Sequence, residues 1–219
     1  AQAFSRAELA MVVANTKIQP LNHSEPDMIA KTRQASKKKG FRIRVGYVSA
    51  NIKSRTTTFM AQNVLLSHDK SKFEIHIYAT TPRDSDDLLY NRMRGVDWRS
   101  KIRNSVEHFH ETHTLDTAQL FRLIRQHDIH ILLNWDGYSN AGIRAAGIFA
   151  LTPAPIQINH QVDTAWLITT EIDFADLPNA TFCLQEYIGT MGADYIPYLI
   201  SDEVSSPSEY RKYYSEKLI

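Results

Sequence analysis

Cysteine occurs once in the 219 residues, as Cys183, so no disulfide can form within the chain and the fold has to be held by its core. No charged-then-apolar segment of secretory type opens the sequence, and together these absences predict a cytosolic or nuclear setting. Long apolar runs are scarce: the longest, residues 129–133 and 145–151, are far shorter than the roughly 20 residues a membrane helix needs. A membrane partner is therefore not expected. Nor does one sign of charge dominate, with 25 lysines and arginines against 24 aspartates and glutamates. That balance leaves no overall field to draw the chain to nucleic acid, and any partner must be recognised locally. P-loop, G-x-G-x-x-G and G-x-S-x-G motifs are absent, as is any repeat of solenoid period.

What is present is apolar material for one substantial core, 43% of residues. Residues 1–40 read as a polar linker or lead-in with one short helix over 5–13, closing on the solvated basic run Lys37, Lys38, Lys39 and Gly40. From Phe41 the pattern changes. Ile43, Val45, Tyr47 and Val48 form a β-rich run that breaks at Ser49. Thr56, Thr57 and Thr58 then offer hydroxyl caps to a helical stripe through Phe59, Met60, Val64, Leu65 and Leu66. Phe73, Ile75, Ile77 and Tyr78 make a second strand, and the acidic residues of 84–87 precede a second helix with Leu88, Leu89 and Met93. Thr114 and Asp116 introduce a helix carrying Leu120, Phe121, Leu123 and Ile124, before a buried-strand run at 129–133. An alanine-rich helix to about Leu151, strands at 156–159 and 195–201, and a final helix from Ser206 and Pro207 through Tyr214 complete the series. This alternation predicts an α/β fold over residues 41–219, a doubly wound parallel sheet of Rossmann-like type.

In such sheets ligands bind beyond the carboxyl ends of the strands, near a change of strand order. Two loops qualify. Residues 49–58 carry Asn51, Lys53, Arg55 and three threonines, and residues 134–139 carry Asn134, Trp135, Asp136, Gly137, Tyr138 and Ser139. They suit a negatively charged or hydroxyl-rich ligand, and they suit turns and helix caps equally well. His108, His110 and His113 around Glu111 invite a metal reading. Alternation along an exposed edge strand accounts for them, and without a fixed helical ligand spacing or a cysteine no metal is expected.

Separate blocks, in order, resemble the catalytic region of O-linked N-acetylglucosamine transferases. Residues 42–49 are similar to the family's R-V-G-Y-V-S strand, and Lys72, Phe73, Glu74, Tyr78 and Ala79 to its second strand. Residues 128–134 with Gly137 and Tyr138 resemble D-G-I-H-I-L-V-N-x-x-G-Y, residues 149–157 resemble F-A-L-R-P-A-P-I-Q, and residues 187–192 resemble Y-P-G-T-S-G. Ser206, Pro207 and the run 214–218 extend the likeness to the C-terminus. The resemblance implies the first lobe of a GT-B glycosyltransferase, with the UDP-sugar, UDP-N-acetylglucosamine, held mainly by a second lobe C-terminal to residue 219. It further implies inverting transfer to serine or threonine hydroxyls of protein acceptors, with no cofactor beyond the donor substrate and no metal. A tetratricopeptide array is usual upstream in the family.

By position in these blocks, Arg55, Asn134 and Tyr138 are the candidate catalytic residues, and Asn51, Thr57, Gly189 and Thr190 the candidate substrate-binding ones. Arg55 departs from the family, which places a histidine there in a G-N-H-P-T-S-H context; Phe59 replaces the second histidine. An arginine stays protonated and cannot act as a general base, although it can bind phosphate or carboxylate. Residues 161–185, with Trp166, Asp173, Asp176 and Cys183, read as an insertion. Two alternatives stay open: a Spindly-like protein O-fucosyltransferase using GDP-fucose, and a non-catalytic descendant that binds proteins.

Overall fold

In a computed structural model the described residues are 2–21, 30, 34, 37–38, 40–52, 56–83, 92, 95–137, 143–160, 190–201, 203 and 206–219. The sheet grows outward from β1 (Ile43–Ser49), whose last five residues are buried. Its β-branched and aromatic side chains alternate between two covered faces, which suits a central parallel strand. β1 pairs in parallel with β2 (Phe73–Ala79) on one side and with β4 (Ile131–Asn134) on the other. Beyond these lie β3 (His108–Glu111), β5 (Ile156–His160), β6 (Tyr198–Ile200) and β7 (Lys217–Leu218). All pairings are parallel and the order is β3-β2-β1-β4-β5-β6-β7.

Two apolar layers follow from the strand period of two. Val48, Tyr78 and Leu132 point to the face covered by α4 (Thr117–Gln126) and α5 (Ile143–Ala150), where they meet Leu120, Ile124, Ile148 and Phe149. Val45, Tyr47, Ile75, Ile77 and Leu133 point the other way, with Leu65 of α2 (Thr56–Leu66) and Ile102 of α3 (Trp98–Arg103). Gly46 lies on the first face, where a Cβ would come within 2.8 Å of Leu132 Cδ1 and 3.2 Å of Tyr78 Cε2. Only a bare backbone lets these side chains close over the central strand.

Helix α4 shows how local sequence sets an end. Asp116 accepts from the Gln119 backbone at 2.7 Å, and the Gln119 side chain accepts in return from the Asp116 backbone at 2.9 Å, a reciprocal capping box. Asp97 caps α3 in the same way, accepting from Ser100 N at 3.0 Å.

The N-terminal stretch is more than a lead-in. Helix α1 spans Gln2–Thr16, and its Val12 packs with Phe121 and Leu151. Ser5 Oγ donates to Gly192 O at 2.7 Å, and Thr152 Oγ1 donates to Leu21 O at 2.6 Å. An apolar stripe met by partners far along the chain turns an expected linker into part of the core. The C-terminus also differs from a simple final helix. Residues Ser208–Tyr213 make a 3-10 helix, and the chain then turns extended at Tyr214 and enters β7. Buried Glu216 fixes that return by accepting from Met191 N at 2.6 Å. The expected helix after residues 84–87 and the insertion at 161–185 lie outside the described residues.

Candidate functional site

Strand order reverses between β1 and β4, so the loops leaving these two neighbours diverge to opposite sides and open a crevice at their carboxyl ends. One carboxylate joins the two loops. Asp136, just after β4, accepts from Ser49 Oγ at 2.8 Å, from Ala50 N at 2.5 Å and from Asn51 Nδ2 at 3.1 Å. Ser49 Oγ in turn accepts from Asn51 N at 2.9 Å, and Asp136 N donates to Asn134 Oδ1 at 3.3 Å. Gly137 follows with φ 55°, a left-handed turn residue that takes the chain off the sheet. Asp136 is 1% exposed, and burial raises its pKa despite the opposing hydrogen bonds from Ala50, Ser49 and Asn51. With three donors on its two oxygens, it serves to hold the loops.

A second tie comes from the other side. Arg99 of α3, 1% exposed, donates to Ile52 O at 2.7 Å and to Thr81 O at 3.0 Å, and its guanidinium pairs with Glu111. Thr81 Oγ1 also donates to Ala50 O. The loops after β1 and β2 are thus clamped to one cation that the fold has almost wholly taken from water.

Hydrogen-bonding capacity is left over nearby. Asn134 and Asn159 are register partners at the carboxyl ends of β4 and β5, both buried. Among the described residues, Asn134 Nδ2 and both amide atoms of Asn159 find no hydrogen-bond partner, and neither does His160 Nδ1. Burial lowers the pKa of His160, which stacks at a tilt 5.7 Å from Trp135. Unspent amides beside a polar crevice fit recognition of hydroxyl-rich groups, because a buried amide gains most when a ligand completes its bonds.

Of the residues singled out in the sequence, Asn51 and Asn134 come together here, both bonded to Asp136. The Thr57 backbone lies in the first turn of α2, directly after this loop. Arg55, Tyr138 and Gly189 fall outside the described residues. Thr190 is placed elsewhere: its Oγ1 donates to Glu216 Oε2 at 2.7 Å and accepts from Gly192 N at 3.0 Å, beside the start of β7. That strand lies three positions from β4 in the sheet. Sequence reasoning omitted Asp136 and Arg99 from the site. An acid directly after a run of buried-strand type was the available signal for Asp136; Arg99 has none, because its partners lie on other elements.

An all-parallel sheet whose polar loops are clamped together at the β1–β4 reversal defines a Rossmann-like lobe. The comparisons make this specific. Residues 6–166 match the model of Glycosyl transferase family 41, and the chain belongs to that family. It is 33% identical over 180 residues to the UDP-N-acetylglucosamine–peptide N-acetylglucosaminyltransferase of Caenorhabditis elegans, covering 82% of this chain and 12% of that protein. Identity is 30% over 178 residues to the probable enzyme of the same name, SEC, of Arabidopsis thaliana, covering 81% and 14%. To the probable transferase SPINDLY of the same plant it is 20%, covering 81% and 16%. A mutant O-GlcNAc transferase of Thermobaculum terrenum shares the fold, with a TM-score of 0.58 and 22% identity over 99% of this chain and 37% of that one. The first lobe of a GT-B fold is therefore what these residues form. No helix among the described residues is long and apolar enough to cross a membrane.

Proposed function

We propose that this chain is the first catalytic lobe of an enzyme that transfers N-acetylglucosamine from UDP-N-acetylglucosamine to serine and threonine hydroxyls of proteins, with inversion and without a catalytic metal. The observation that carries the reading is the Asp136 clamp on the two switch-point loops, in a chain of family 41. A GT-B cleft needs its first-lobe loops fixed before the second lobe closes, because oriented polar groups contribute most when they need no reorganisation. In this reading the UDP-sugar is held mainly by a second lobe outside residues 1–219, which fits the small share of each relative that the chain spans. Asn51 and Asn134, both tied to Asp136, hold the two loops in place on the acceptor side. Arg55 contributes a permanent positive charge to phosphate or to an acceptor carboxylate, and Tyr138 is the other candidate for contact with substrate.

A donor other than UDP-N-acetylglucosamine is the second reading, and GDP-fucose is its specific form. The two relatives at 30–33% identity are both named as UDP-N-acetylglucosamine transferases, which favours N-acetylglucosamine. The test is transfer by the complete polypeptide that carries this lobe, to a serine peptide, with the two donors in separate reactions and mass spectrometry of the product. An N-acetylhexosamine adduct from UDP-N-acetylglucosamine supports the proposal. A deoxyhexose adduct from GDP-fucose alone overturns the donor, and no adduct from either leaves a protein-binding descendant as the better account.

A further inference from the structure

Away from the crevice, the α4 face of the sheet collects four of the nine histidines. His76 on β2 and His108 on β3 are register partners, His110 lies opposite Tyr78, and His127 caps the C-terminus of α4. The rings form a stack: centroids are 4.2 Å apart for His76 and His108, 5.5 Å for His76 and His110, and 4.4 Å for His110 and His127. The sequence offered His108, His110, His113 and Glu111 as a group, but the fold divides them. Glu111 turns to Arg99 and Arg103, while the two even-numbered histidines join His76 and His127.

We propose that His76, His110 and His127 form a binding site for a divalent transition-metal ion of the zinc type. One ring nitrogen from each residue lies within 4.8 Å of the other two. His76 Nδ1 and His110 Nε2 are already 3.3 Å apart. Two nitrogens bound tetrahedrally to zinc at about 2.0–2.1 Å stand roughly 3.3 Å from each other, so the spacing of this pair fits chelation, and the stacked rings have only to turn until their in-plane lone pairs converge on the ion. Imidazole is the ligand type that zinc, copper and nickel share.

The surroundings supply what a ligating histidine requires behind it. With a metal at Nδ1, His76 must carry its proton on Nε2, and Glu74 Oε1 lies 3.4 Å from that nitrogen. The arrangement is that of a carboxylate, a histidine and a metal in line. In the metal-free fold His76 Nε2 is buried without a hydrogen bond, and a small turn of the ring on metal binding would aim it at Glu74. Glu74 is itself held by Arg42 at 3.1 Å and by His108 Nε2 at 2.9 Å. Tyr78 OH contacts His127 Nδ1 at 2.8 Å and fixes the third ring. The ion would join β2, the edge strand β3 and the end of α4, so its role is to fasten the sheet edge. The site lies apart from the β1–β4 crevice and does not bear on the transfer reaction.

The experiment is titration of the 219-residue chain with Zn2+ by calorimetry, paired with melting scans and with visible absorption of the Co2+ form. Expected are one ion per chain, affinity of about micromolar or better, a Tm rise of about 5 °C or more at saturation, and reversal by EDTA. His110→Gln and His127→Gln should each weaken binding by at least about tenfold, while His108→Gln should leave it within about threefold. Circular dichroism of each variant without metal shows whether it has folded, and His127→Gln, at the half-buried end of α4, serves if His110→Gln has not. The absence of saturable binding up to about 100 µM Zn2+ overturns the proposal. So does binding that survives both substitutions, or that depends on His108 and Glu74 instead, the signature of the neighbouring Glu74, His76 and His108 set.

Discussion

The Asp136 carboxylate accepts the backbone N–H of Ala50 at 2.5 Å, across the point where the sheet reverses its strand order. This one bond joins the loop leaving β1 to the loop leaving β4. Asp136→Asn keeps the shape but turns one oxygen into an NH2 that faces donors. The variant is expected to lose about 2 kcal/mol of stability, the cost of leaving buried donors unmatched. Urea unfolding measures the loss, and amide exchange at Ala50 should speed up more than exchange at Val45. Equal protection at both positions would show that the clamp is not what orders the loop.

Arg99 is expected to matter as much, although it lies far from the crevice in sequence. Arg99→Met removes the donor to Ile52 O and Thr81 O and leaves part of the Glu111 charge to Arg103. A loss of roughly 2–4 kcal/mol follows from two stranded carbonyls and a broken half-buried ion pair. Arg99→Lys should recover less than half of it, because a single ammonium cannot fork to both carbonyls and the carboxylate. Denaturant midpoints of the two variants settle the order.

His130 sets an acid limit. Its Nδ1 accepts from Arg44 N at 2.9 Å, which only the unprotonated ring can do. Burial, with Arg44 second, lowers its pKa below the usual 6.5, against weaker pulls from Asp128 and Glu74. The unfolded chain therefore takes up this proton at a higher pH than the folded one. The contribution is complete above about pH 6.5 and is lost as the pH falls toward the lowered folded value. Glutamine keeps an acceptor and does not titrate, so His130→Gln should lose less stability than the parent between about pH 7.5 and about pH 5.5. Parallel pH profiles would remove His130 from the account.

Arg55 offers a functional test. In the complete polypeptide Arg55→Ala is expected to cut transfer about tenfold, the scale of one charge-assisted contact. Arg55→His should retain more activity than Arg55→Ala, since a histidine titrates near neutrality. Rates and melting temperatures equal to the parent in both variants would take this loop out of the cleft.

The sheet was legible in the sequence because the runs around Val45, Ile75 and Leu132 are short, apolar and separated by capped helices such as the one begun by Asp116. Those signals are local, and local signals survive in a single chain. Legibility failed where a residue's meaning lies with a distant partner. Ser5, Glu8 and Val12 look like an ordinary polar lead-in until Gly192, Tyr195 and Leu151 cover them. Glu216 looks like a surface acid until Met191 and Thr190 donate to it, and that bond pulls the end of the chain into β7. The histidine cluster was only half legible for a related reason: a period of two groups His108 with His110, but only the sheet register brings His76 beside them.

Helix α1 closes its hydrogen bond from Ser5 to Gly192 over 187 residues of chain. During synthesis at about 5–20 residues per second, Gly192 follows this helix only some 10–40 s later. Of the described elements α1 is thus the first made, and its bond to Gly192 is among the last to close. Until then its Val12 face stands open beside the Phe121 and Leu151 surface it will cover, a window in which chaperones or another chain can reach both.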